Sequence, residues 1–171
     1  ESTLGQGSTF WFTVRLDKAD NTVLPETVSV TESTESRLRR RFSGARVLLV
    51  EDEPINQEVS RHLLEEVGLL VDLAQDGLQA LEMTRQNRYA LIMMDIQMPN
   101  LNGIDATRAI RLLPKHGDVP ILAMTANAYD EDRKACIEAG MNDLISKPVA
   151  PEALFRTLLK WMEVQKVGER H

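Results

Sequence analysis

From residue 45 onward the chain alternates short, nearly all-apolar runs with segments of helical period. The runs are ARVLLV (45–50), LLVDLA (69–74), YALIMM (89–94), PILAMT (120–125) and DLISK (143–147). Five strands are expected, because apolar runs of this length, separated by helical patterns, fit buried strands. Between them, Ile55, Val59, Leu63 and Val67 fall on one helical stripe, Leu78, Leu81 and Arg85 begin a second, and Ile104, Thr107 and Ile110 a third. A fourth helix is expected from Tyr129 to Ala139, ended by Gly140 as a left-handed cap. A fifth follows Pro151 and carries Leu154, Leu158 and Trp161. Strands that are apolar throughout are buried on both faces, so the sheet should be parallel with helices on either side. Residues 45–165 thus read as an α/β domain, a doubly wound five-stranded parallel sheet.

The first 44 residues have a different texture. Residues 10–16, FWFTVRL, alternate, with Phe10, Phe12, Val14 and Leu16 on one face and Trp11, Thr13 and Arg15 on the other. That pattern predicts a short β segment, preceded by a turn at Gly5-Gln6-Gly7-Ser8. From Lys18 to Gly44 the chain is polar and ends in a basic knot of Arg37, Arg39, Arg40 and Arg41. It reads as a mobile linker with a solvated charge run. On that reading a chain cut near Arg41 should keep the fold of the following domain. It should also lose any self-association, as a homodimer, through the unpaired edge of the N-terminal strand.

Composition narrows the function classes. A formal net charge of −6 argues against non-specific binding to nucleic acid or anionic membrane. The single cysteine, Cys136, fits a reducing compartment, and no apolar run approaches the length of a membrane span, so a cytoplasmic location is expected. The sequence opens at Glu1 inside what reads as a structural element, which suggests an excised piece of a longer chain whose own anchor, if any, lies elsewhere.

In open doubly wound sheets, ligands bind beyond the carboxyl ends of the strands. Those positions hold Glu51 and Asp52 after the first strand, Asp95 after the third, Thr125 after the fourth and Lys147 after the fifth. Three carboxylates, a hydroxyl and an ammonium make a coherent set for phosphoryl transfer. Clustered carboxylates attract a hard divalent cation that keeps several waters, which is the habit of Mg²⁺. Asp52 and Asp95 are expected as direct ligands and Glu51 through water. Asp95 is the expected nucleophile, Lys147 the cation facing the transferring oxygens, and Thr125 a hydroxyl donor to the transferred group. Pro148 is read as fixing the preceding peptide bond, cis being one form, so that the ammonium points inward. Singly, each residue has a plain reading: Asp95 satisfying loop amides, Thr125 capping a helix, Lys147 on the surface. Jointly they share one rim. Cys136, Met93, Met94 and Met124 read as packing residues, and His62, His116 and His171 show no ligand spacing.

VEDEPINQ (50–57), MMDIQMPNLNG (93–103), MTANA (124–128) and ISKPV (145–149) together resemble the receiver domains of two-component response regulators, over residues 44–164. The resemblance implies a flavodoxin-like strand order of 2-1-3-4-5. It also implies transfer of a phosphoryl group from a kinase phosphohistidine to Asp95, with Glu51, Asp52, Asp95 and the backbone carbonyl of Gln97 at the metal. A histidine-kinase phosphohistidine domain and a histidine phosphotransfer protein are the implied partners. Ser2 to Phe12 resembles the last glycine-rich box and strand of the histidine-kinase ATPase domain, which points to a hybrid sensor kinase with residues 1–17 as remnant, 18–44 as linker and 45–165 as receiver. The other nucleotide-binding boxes are missing from this sequence, so ATP binding by it is not expected. One position departs from the family: where an aromatic residue often stands three before the site lysine, this chain has Leu144.

Two other classes compete. An aspartate-nucleophile phosphatase needs a second acid two residues after the nucleophile, and that position is Gln97. A degenerate receiver acting only as a protein-docking module should lack an acid or the lysine, and here all are present.

Overall fold

The computed structural model describes residues 2–3, 7–8, 13, 32–114, 117–126 and 130–168. The chain divides into two units, Glu1–Thr31 and Glu32–His171. In the first, strand β1 (Ser2–Thr3) pairs antiparallel with β2 (Gly7–Ser8), Ser2 opposite Ser8 and Thr3 opposite Gly7. Gly7 and Ser8, expected in a turn, are therefore strand residues. Of the strand expected over residues 10–16, only Thr13 is among the described residues, and it is exposed and outside any strand.

The second unit opens with helix α1 (Thr34–Phe42), followed by β3 (Arg46–Val50), α2 (Pro54–Glu66), β4 (Leu70–Ala74), α3 (Gly77–Gln86) and β5 (Leu91–Asp95). After these come α4 (Gly103–Arg111), β6 (Ile121–Thr125), α5 (Asp130–Ala139), β7 (Asp143–Ser146) and α6 (Pro151–Gly168). The sheet is parallel throughout, in the order β4-β3-β5-β6-β7. Counted from β3 that is 2-1-3-4-5, as expected. Alternate residues of each strand feed two cores. Val47, Leu49, Leu91, Met93, Leu122 and Met124 pack under α1, α2 and α6. Leu48, Val50, Ile92, Met94, Ile121 and Ala123 pack under α3, α4 and α5. Gly140 ends α5 with φ +99°, as the sequence predicts, and Cys136 is buried on the inner face of that helix.

The main correction concerns residues 34–42. They form a helix, not a linker, and Leu38 and Phe42 on its inner face belong to the core beneath α6. Ser33 caps the helix by accepting from the Ser36 amide, Glu35 lies in the first turn and three arginines in the last, all favourable to the helix dipole. The basic knot is engaged: Arg37 and Arg41 pair with Glu163 of α6, Arg39 with Glu35 and the Glu66 carbonyl, and Arg40 with Glu32. The helix stripes also shift. On α2 the inward residues are Ser60, Leu64 and the following Val67, with Leu63 at the margin, whereas Ile55 and Val59 are 72% and 52% exposed. On α3, Ala80 and Thr84 face inward and Leu78 is exposed.

Candidate functional site

Each residue expected at the site stands just past, or on the last residue of, a strand at the carboxyl edge of the sheet. Asp95 ends β5 and Thr125 ends β6; both are 5% exposed. Glu51 follows β3, is 1% exposed, and its amide donates to the Ala74 carbonyl at 3.0 Å. Asp52, next in the chain, is exposed. Lys147 follows β7, and its amide donates to the Thr125 carbonyl at 2.8 Å, which ties the lysine to the threonine strand. The Lys147–Pro148 bond is cis.

The side chains converge as the sequence predicts. The Lys147 ammonium donates to Asp95 Oδ2 at 2.5 Å and lies 2.6 Å from Glu51 Oε2. The contact with Glu51 is a close ion pair, and apart from it Oε2 has no polar partner among the described residues. Asp95 Oδ1 accepts from the Gln97 amide at 3.1 Å. Carboxylate oxygens of Glu51, Asp52 and Asp95 all lie within 4.8 Å of one another. They line a cleft of about 270 Å³ together with Asn56, Thr125 and Lys147.

The electrostatics follow from burial and from these pairs. Burial pushes the Glu51 carboxyl above its usual range, and Asp95 adds to this against the opposing pull of Lys147. Burial also works to lower the Lys147 pKa, but Asp95 and Glu51 outweigh it and the net shift is upward, so the ammonium stays charged. Two carboxylates share one cation here, with a third at the rim. Three clustered carboxylates beside a single ammonium are a donor set that suits a hard divalent ion, and the residues fit Mg²⁺.

Two glycines shape the loop after Asp95. A Cβ on Gly103 would lie 2.0 Å from the Asp95 carbonyl oxygen, and one on Gly77 would lie 2.4 Å from the Leu101 carbonyl oxygen. The Gly103 amide donates to the Ile96 carbonyl at 3.1 Å and the Gly77 amide to Leu101 at 3.0 Å. Asn100, with φ +63°, donates its side-chain amide to Asp76, which caps α3. Close backbone approach is the physical reason for the glycine that ends MMDIQMPNLNG. Asn56 and the two glycines were not singled out by the sequence reading, although Asn56 and Gly103 lie inside its motifs.

Comparison with known proteins decides the family. The model of the response regulator receiver domain matches residues 47–159. The chain belongs to the response regulator receiver domain family. Over 162 residues, 94% of this chain and 20% of that protein, it is 34% identical to the aerobic respiration control sensor protein ArcB of Escherichia coli K12. The receiver domain of sensor histidine kinase PA1611 from Pseudomonas aeruginosa PAO1, solved with a magnesium ion in its active site cleft, is 44% identical with a TM-score of 0.67. That match covers 71% of this chain and 99% of that one. The receiver domain of Saccharomyces cerevisiae Ssk1, in co-crystals with the histidine phosphotransfer protein Ypd1, is 32% identical with a TM-score of 0.68, covering 72% and 92%. The chain spans a quarter or less of the length of curated relatives that it matches, hybrid histidine kinases among them. Among the described residues no helix is long and apolar enough to cross a membrane.

Proposed function

We propose that this receiver accepts a phosphoryl group on Asp95 from a phosphohistidine, with Mg²⁺, in a phosphorelay. The observation that carries the reading is the position of Asp95: nearly buried, bonded to Lys147 at 2.5 Å, and inside a three-carboxylate cluster. An oxygen of Asp95 forms the new P–O bond while the P–N bond to the donor imidazole breaks, and the departing nitrogen keeps the electron pair. Lys147 balances charge on the phosphoryl oxygens, and the Thr125 hydroxyl donates to one of them after transfer. Glu51, Asp52, Asp95 and the Gln97 carbonyl would hold the Mg²⁺, which supplies charge neutralisation at the transferring oxygens.

The donor docks on α2. Ile55 and Val59 are exposed apolar residues beside the cleft, and Val59 lines a pocket of about 150 Å³ with Pro148, Val149 and Lys147. Apolar surface next to a reacting group suits a phosphohistidine-bearing helix of a kinase or phosphotransfer domain. The co-crystallised yeast relative supports a phosphotransfer partner, and the kinase relatives support a hybrid kinase as the parent.

The test is incubation with acetyl phosphate, with and without Mg²⁺, followed by mass mapping. Labelling should fall on Asp95 alone, require Mg²⁺, and vanish in Asp95→Asn. Labelling of that variant at the wild-type level would refute the assignment.

A further inference from the structure

Glu51 is the most enclosed acid of the cleft, at 1% exposed, and something must orient it. One of its oxygens, Oε2, pairs with the Lys147 ammonium at 2.6 Å and has no other polar partner among the described residues. The other, Oε1, accepts from the Asn56 side-chain amide at 3.3 Å. The next residue of the helix grips the same acid from its backbone side, the Gln57 side-chain amide donating to the Glu51 carbonyl oxygen at 3.0 Å. Both side chains are set by the first turn of α2, where Glu53 caps the helix by accepting from the Asn56 amide at 2.9 Å and Pro54 occupies the opening position.

The geometry points to Asn56 as a positioning residue of the phosphorylation site, assisted by Gln57: it holds the Glu51 carboxylate open toward the metal instead of letting it close onto Lys147. This deepens the reading of Asp95 as a Mg²⁺-dependent phosphoacceptor and rests on it. A carboxylate held through only one oxygen is free to turn about its last bond unless a second donor fixes the other oxygen. Without the Asn56 side-chain amide, only the pair with Lys147 would hold the Glu51 carboxylate, which could then turn further toward that lysine. The lysine would then be drawn from Asp95 and the acid cluster would lose an arm. Asn56 also borders both the acid cleft and the apolar pocket of the docking face, so it stands between partner and chemistry.

Asn56→Ala and Asn56→Leu remove the donor, the second while keeping most of the volume; Asn56 is exposed on its outer side, so neither empties the core. Titration calorimetry of the full chain with MgCl₂ should show about tenfold weaker binding in both variants, the range seen when a partner that orients a metal ligand is lost. In acetyl phosphate labelling, the Mg²⁺ concentration for half-maximal rate should rise by the same factor, with the saturating rate held within about twofold. The melting temperature without Mg²⁺ should not move. Unchanged Mg²⁺ affinity in both variants overturns the proposal, as does a loss of saturating rate at unchanged affinity. If wild type binds Mg²⁺ more tightly than both Asn56 variants yet is not labelled on Asp95, the phosphoacceptor reading fails and only the part of the proposal that concerns metal binding stands. If wild type binds no Mg²⁺, both fail.

Discussion

Replacing Leu38 with alanine tests whether α1 is part of the receiver's folding unit. Leu38 is fully buried and lies in the same core as Leu158, Leu159 and Met162 of α6. Truncating a buried leucine costs about 2–5 kcal/mol, the transfer of the lost methyl groups plus the cavity left behind. The ion pairs of the same helix are a control. Arg37 and Arg41 meet Glu163 with side chains 40%, 38% and 30% exposed, and exposed pairs are worth about 0.2–1 kcal/mol each. Packing should therefore outweigh charge. Urea unfolding followed by circular dichroism should show Leu38→Ala losing at least about 2 kcal/mol, with the urea dependence unchanged. Arg41→Ala should lose less than about 1 kcal/mol. For a unit of this size the leucine variant should melt lower by roughly 6–15 °C. A loss below about 0.5 kcal/mol, the level of a surface substitution, would show that α1 is not packed in solution. A chain cut near Arg41 loses Leu38 altogether, so the expectation that such a cut spares the fold gives way to one of marked destabilisation.

Gly103→Ala should destabilise by about 1–3 kcal/mol or more, because its Cβ would lie 2.0 Å from the Asp95 carbonyl oxygen, and it should slow Asp95 labelling through displacement of that backbone. Asp52→Asn should weaken Mg²⁺ binding more than Glu51→Gln does, the first being read as a direct ligand; equal losses in a metal titration would remove the distinction. Asp143 gives a pH dependence: burial alone would raise its pKa, but hydrogen bonds from Lys160, Trp161 and the Leu144 amide outweigh it and the net shift is downward. Its contribution to stability is thus complete above the unfolded value of about 3.9 and is lost as pH falls through the lower folded value, so acid unfolding of Asp143→Asn should be flatter below about pH 4.

The strands and the site were legible because parallel buried strands write themselves as continuous apolar runs, and because chemistry in this architecture sits at the strand ends. The helices were less legible. Stepping by four residues from Ile55 to Val67 drifts about 40° per step around the axis, so that stripe crosses from the exposed face at Ile55 and Val59 to the buried face at Val67. The true inward row includes Ser60, and on α3 it includes Thr84, whose hydroxyl donates to the Ala80 carbonyl at 2.7 Å and so needs no other partner. Polar residues that satisfy themselves in this way hide a buried face from a hydrophobicity pattern. Helix α1 was missed for a related reason: with only Leu38 and Phe42 apolar, its helical signal lay in the Ser33 cap and in the placement of Glu35 and the arginines.

Stability and chemistry lie at opposite ends of one sheet. The carboxyl ends of β3 and β5 carry Glu51 and Asp95, whereas α1 leads directly into the amino end of β3, where the Ala45 amide donates to the Phe42 carbonyl. Five-residue strands separate the two ends by roughly 16 Å. That exceeds the roughly 7–10 Å within which substitutions couple, so energetic effects at the two ends should add. Leu38→Ala should lower the melting temperature while leaving the Mg²⁺ dependence and the rate of Asp95 labelling unchanged below the transition. Asn56→Leu should do the converse. A helix outside the family's matched residues 47–159 would then hold the receiver together without entering its reaction. If Leu38→Ala instead altered the labelling of folded protein, α1 would have to reach the acid cleft through the shared core of Leu49, Met93 and Leu158, and the separation of the two ends would fail.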